Sequence, residues 1–168
     1  LRTAGTPVID LTETNPTQVG LPYALDLHAG LAAPSALIYA PEPLGLPMAR
    51  AAAAAEFARQ GAAVSAEQVV ITASTSDAYA MLFKLLCDAG DEVLVPQPSY
   101  PLFEHLAGLE SVRMEPYSLG YHGRWEVDLA EVERGLAAGA RIVVAVSPNN
   151  PTGSCLSAAE ADALIEEL

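Results

Sequence analysis

A chain of 168 residues with 51% hydrophobic and 17% charged side chains has the apolar material for one domain with a real core, which argues against disorder. The net charge of −13 argues against a nucleic-acid partner, since such binders cluster Lys and Arg and the 8 basic residues here are scattered. No apolar run approaches the ~20 residues of a membrane-spanning helix, and the opening LRTAGTPVID lacks the apolar core of a secretory leader. Cys87 and Cys155 stand far apart outside any Cys-x-x-Cys spacing, so neither zinc nor a disulfide framework is indicated and a reducing, cytoplasmic location is expected. His28, His105 and His122 show no metal-ligand spacing and are assigned no role.

In chain order, residues 1–44 are rich in proline and turn signals, as in TNPTQVGLP and YAPEPLGLP, and read as an arm or connecting segment without its own core. Residues 45–168 read as a second unit. Pro47 can occupy the first turn of a helix through MARAAAAAEFARQ, with Gly61 as its left-handed stop. Strand and helix then alternate: QVVIT, the helix SDAYAMLFKLLCDAG, DEVLV, the helix YPLFEHLAGL, and SVRMEPY. Asp128 caps the helix DLAEVERGLAAG with Glu131 three residues on, RIVVAV reads as a buried strand, and Ser157 with Glu160 stands at capping-box spacing before the last helix. The pattern predicts an α/β fold, a mostly parallel sheet flanked by helices, whose ligands gather at the carboxyl ends of the strands.

Three polar stretches follow strands. TASTSDA puts Ser74, Thr75 and Ser76 at a helix N-terminus, where free N–H groups and the helix dipole favour phosphate, although helix capping alone also accounts for hydroxyls there. PQPSYP presents Tyr100, which can stack on a flat ring or pack into a core. SPNNPTG presents Asn150, whose amide can donate to an acidic ligand oxygen or simply shape the turn.

The ordered set ITASTSDAY, VPQPSYP and SPNNPTG, with IYAPEPLGLP upstream, resembles the class I and II aminotransferases of the pyridoxal-phosphate fold-type I superfamily, and the resemblance covers nearly the whole chain. It implies pyridoxal 5′-phosphate as coenzyme, with its phosphate on Ser74, Thr75 and Ser76, its ring against Tyr100 and its phenolic oxygen on Asn150. It also implies that Tyr39 reaches the phosphate of a neighbouring subunit in a homodimer, and more loosely that Asn15 in TETNPTQ approaches the substrate. Turn formation by Asn15 is the plainer reading. Cis peptide bonds are implied at Gln97–Pro98 and Asn150–Pro151. One departure is the glycine often found in the phosphate turn, replaced here by Ser74 or Thr75.

Enzymes of this family hold the coenzyme on a lysine, and the sole lysine here is Lys84. Helical spacing places Ala78, Leu82, Leu85 and Leu86 on one apolar face and turns Lys84 away from it, two turns past the phosphate end, so it reads as a solvated side chain and no catalytic residue is assigned. The resemblance puts the Schiff-base lysine beyond the Asn-Pro-x-Gly turn. The expectation is therefore part of an aminotransferase, inactive alone, whose parent moves an amino group between an amino acid and a 2-oxo acid. A lyase or decarboxylase of the same fold, a non-catalytic aminotransferase-like regulatory domain, and a nucleotide-binding α/β domain are the alternatives; the last lacks a glycine-rich phosphate loop.

Overall fold

The computed structural model describes residues 14–167. Its contacts divide the chain into two units, Leu1–Pro43, of which residues 14–43 are described, and Leu44–Leu168. In the first unit the described backbone consists of turns and two 3-10 segments, Ala29–Ala32 and Pro34–Leu37, neither of which buries a residue. Large apolar side chains such as Leu25, Leu31 and Tyr39 lie almost fully exposed.

The second unit opens with α1 (Pro47–Arg59), begun by Pro47 in its first turn and followed by Gly61 at φ 93°, a conformation that glycine adopts without strain. Then come α2 (Thr75–Leu86), β1 (Glu92–Gln97), α3 (Leu102–Leu109), β2 (Arg113–Tyr121), β3 (Trp125–Val127), α4 (Leu129–Ala137), β4 (Ile142–Val143) and α5 (Ala158–Glu166). The sheet order is β3-β2-β1-β4. β1 pairs in parallel with β2 and β4, while β2 and β3 form an antiparallel hairpin, so the expected α/β fold is present with a mixed sheet.

β1 is the axis of the core. Alternating side chains leave a strand on opposite faces, and both faces are covered here. Val93 and Val95 pack with Phe83, Phe103, Leu106, Ala107, Val112 and Val144, whereas Leu94 packs with Tyr117, Val132 and Leu164. Helices α2 and α3 therefore serve one face and α4 and α5 the other. Burial of each large side chain contributes about 1.5–3 kcal/mol. Gly135 lets α4 approach closely, because a Cβ there would stand 2.5 Å from the Leu94 side chain.

Three sequence expectations need correction. QVVIT forms no strand: its start closes the 3-10 turn Ala66–Gln68, and the backbone beyond bonds to α1 and the segment before it, with Ile71 N–H donating to the Leu44 carbonyl and the Val69 carbonyl accepting from Arg50. RIVVAV contracts to Ile142–Val143, since its partner is β1 alone, with the Arg141 and Val144 N–H groups donating to the Glu92 and Leu94 carbonyls on either side. On α2 the buried residue is Phe83, while Leu82, Leu85 and Leu86 are exposed. Apolar residues lie nearly all round that helix, so spacing did not select a face, and the aromatic ring that meets Phe103 and Val95 did. Sequence reading also missed β3, whose signal is the Gly123 turn between Tyr121 and Trp125, rings paired across the hairpin 5.4 Å apart.

Candidate functional site

The connections of α2 place its two ends. Arg141, at the start of β4, donates to the Leu86 carbonyl at 3.3 Å, and Cys87–Asp91 turns directly into β1. The C-terminus of α2 thus lies at the amino ends of β1 and β4. Twelve helical residues rise about 18 Å and the six of β1 extend about 20 Å. A helix running back along the strand brings Ser74–Ser76 to the edge where β1 finishes at Gln97. The turn after β4 leaves on that edge as well, because β4 is parallel to β1.

At the first turn, Ser74 is the N-cap of α2, and its Oγ accepts from Asp77 N–H at 3.1 Å. Asp77 bends back in turn and its Oδ2 accepts from Ala73 N–H at 3.2 Å. The capping reading of Ser74 therefore holds, and the carboxylate is engaged behind the helix end. The N–H groups of Thr75 and Ser76 have no acceptor inside the helix, and their hydroxyls make no hydrogen bond among the described residues.

One turn along, Tyr79 meets Phe103 of α3 edge-on, centroids 4.8 Å apart, and Phe103 meets Tyr100 the same way at 6.1 Å. Burial pushes the Tyr79 phenol above its ordinary range, so it stays protonated. Tyr100 is 42% exposed, leaving much of its ring open beside the carboxyl edge. A chain of aromatic contacts thus joins the α2 turn to the turn after β1.

That turn is joined in its turn to SPNNPTG. Asn149, 4% exposed, donates through Nδ2 to the Pro98 carbonyl at 3.2 Å and to Thr152 Oγ1 at 2.9 Å. Its own backbone closes the loop, with Asn149 N–H on Ser154 O and Gly153 N–H on Asn149 O, both 2.7 Å. Asn150, the residue singled out from sequence, is exposed on this loop. The peptide bonds Gln97–Pro98 and Asn150–Pro151 are cis, as the resemblance implied, and so is Ser147–Pro148. Asn149 itself was missed; its only sequence signal is its place beside Asn150. Beneath the loop, burial lifts the Tyr117 phenol to about 12, and it donates to the Val144 carbonyl at 2.9 Å.

Lys84 stands about 14 Å up the helix from Thr75, its Nζ 2.6 Å from Glu110 Oε1 at the end of α3. It bridges two helices on the surface. Asn15 accepts from the Thr17 N–H and hydroxyl through Oδ1, the arrangement of an Asx turn. Tyr39 is 92% exposed. A groove of about 690 Å³ between α3 and the β1–β2 pair takes in Ser99 and Tyr100 but not Ser74–Ser76 or Asn150, so the contacts between turns describe the candidate site better than this cavity does.

Comparison with known proteins agrees with this fold. The family model described as Aminotransferase class I and II matches residues 7–167. The chain is 38% identical over 120 residues to the aspartate/prephenate aminotransferase of Thermus thermophilus, covering 69% of this chain and 30% of that protein. It is 30% identical over 115 residues to nicotianamine aminotransferase 1 of Oryza sativa subsp. japonica, covering 68% and 23%. The N-succinyldiaminopimelate aminotransferase structure from Mycobacterium tuberculosis superposes with a TM-score of 0.76 at 28% identity, covering 84% of this chain and 38% of that one. The matched region thus takes in less than a third of either curated relative. By motif, fold and comparison alike, the chain belongs to the aminotransferase class I and II family.

Proposed function

We propose that these residues form the arm and first part of the coenzyme domain of a pyridoxal-phosphate-dependent aminotransferase, whose whole polypeptide moves an amino group between an amino acid and a 2-oxo acid. The observation that carries this reading is the run of contacts from α2 through Phe103 to Tyr100, and from Pro98 through Asn149 to the Asn150 loop. It links a phosphate-type helix end, an open aromatic ring and an amide-bearing turn on one sheet edge.

The residues present suit such a coenzyme. Thr75 and Ser76 offer hydroxyl and N–H donors at the positive end of a helix, suited to a phosphate group. Tyr100 offers a ring face for the pyridine, and the Asn150 amide offers a donor for the phenolic oxygen. Nearby, Ser99 Oγ and Asn149 Oδ1 are buried without a hydrogen-bond partner, which marks a polar junction beside the coenzyme-facing turns. When bound, pyridoxal phosphate supplies the electron-withdrawing ring on which amino transfer depends; these residues bind and orient it. Asn15 is proposed to approach the substrate, and Tyr39 to reach the phosphate of a second subunit in a homodimer located in the cytoplasm.

Lys84, committed to Glu110, is not proposed as the covalent anchor, so the 168 residues alone are expected to be inactive. The test compares the 168-residue chain with the natural polypeptide that carries it, each supplied with pyridoxal phosphate, an amino-acid donor and a 2-oxo-acid acceptor. The natural polypeptide is expected to form the new amino acid and the chain alone is not. Carbon dioxide or elimination products without amino transfer would replace this reading with a lyase or decarboxylase.

A further inference from the structure

The site as described uses Asn150, but the more deeply held residue of the pair is its neighbour. Asn149 is the one polar side chain in the buried core of the described residues, and all of its bonds serve two surface turns. Its amide spans from the Thr152 hydroxyl in its own loop to the Pro98 carbonyl in the other, 51 residues away in sequence. Thr152 Oγ1 is in turn 2.7 Å from Ser154 Oγ and accepts from Ser154 N–H. The loop bearing Asn150 is therefore closed on itself and fastened, by one amide, to the turn bearing Tyr100.

We propose that Asn149 is a positioning residue that sets the distance between the Tyr100 ring and the Asn150 amide, and so the width of the slot that receives the flat face and the phenolic oxygen of an aromatic coenzyme. This rests on the proposed function above. No comparable bond joins Asn149 to the Ser74–Ser76 turn, which is fastened through Tyr79 and Phe103 instead. Loss of the Asn149 clamp should loosen the ring-and-oxygen end of the site and leave the phosphate end intact. Asn149 Oδ1, buried without a partner, contributes nothing to the clamp, so the Nδ2 donor is the functional half of the side chain.

The test uses the whole chain and two probes, pyridoxal phosphate and inorganic phosphate, each titrated by backbone amide chemical shifts. Asn149→Leu keeps the approximate shape and removes the donor; Asn149→Ser, too short to span to Pro98, serves if the first variant does not fold. The expected result is a loss of about tenfold or more in affinity for pyridoxal phosphate, the equivalent of one to two ordinary hydrogen bonds, with inorganic phosphate unchanged. Equal affinity for pyridoxal phosphate would overturn the proposal, and so would an equal loss for both probes, which a general structural role produces. Amide hydrogen exchange on the coenzyme-free samples separates this inference from the reading beneath it. The clamp requires Gly153 and Phe103 to exchange faster together in the variant. Exchange that is unchanged in the variant while the wild type binds coenzyme defeats the clamp alone; faster joint exchange in the variant, with a wild type that binds no coenzyme, defeats the function reading alone.

Discussion

Helices α2 and α5 begin with the same chemistry and put it to different use. Each has a serine N-cap whose Oγ accepts from the N–H three residues on, and each has an acidic residue at that third position. At α5 the box is closed. Glu160 Oε2 accepts from the Ser157 N–H and hydroxyl, and Oε1 accepts from the Val127 N–H of β3, so the carboxylate also fastens the helix to the sheet. At α2 the acidic partner reaches past the cap to Ala73, Thr75 is exposed and Ser76 half-buried, and the hydroxyls of both make no hydrogen bond among the described residues. A hydroxyl at a helix start is thus structural where it caps, as at Ser74 and Ser157, and available to a ligand where the fold leaves it unbonded, as at Thr75 and Ser76.

The sharpest way to break this contrast is to remove Glu160. Glu160→Ala deletes the box and the tie to β3, and should cost about 2 kcal/mol in urea unfolding while leaving phosphate binding unchanged. The effect depends on pH. Burial raises the Glu160 carboxyl, but hydrogen bonds from Ser157 and Val127 and the Arg124 charge outweigh it and hold the group below its ordinary 4.5. Its contribution is therefore complete above that value and lost as pH falls through the lower folded value. The stability gap between the wild type and Glu160→Gln should be full near neutrality and close in acid.

Ser74→Ala is the matching change at α2 and should cost about 1 kcal/mol, read by the same unfolding curves. The pair Thr75→Val and Ser76→Ala should move stability by no more than about 0.5 kcal/mol and yet weaken phosphate at least about tenfold, since hydrogen bonds to a charged group are the strong ones. Smallest of all is Lys84→Met. An ion pair whose lysine is largely exposed contributes about 0–1 kcal/mol, and borohydride treatment of the wild type with pyridoxal phosphate should fix no coenzyme on Lys84.

The contrast also shows what could be read in advance. The box at Ser157, the Asp128 cap, the Pro47 start and the Gly61 stop are local in sequence, and the structure has each of them. Burial of the α2 face, the length of β4 and the absence of a strand at QVVIT depend on partners far along the chain, which periodicity does not carry. The site shows the same division. The proposed coenzyme residues Ser74, Thr75, Ser76, Tyr100, Asn150 and Tyr39 come from a family pattern in the sequence, whereas the Asn149 bridge exists only once folding brings Pro98 within 3.2 Å of its amide.

The most direct test of the central claim is a titration of the labelled chain with pyridoxal phosphate, observed by amide NMR at Thr75, Ser76, Tyr100 and Asn150. The account predicts that all four signals shift together along one saturating curve, while those of the α5 box at Ser157 and Glu160 stay still. Shifts confined to Lys84, or none at the three turns, would contradict it.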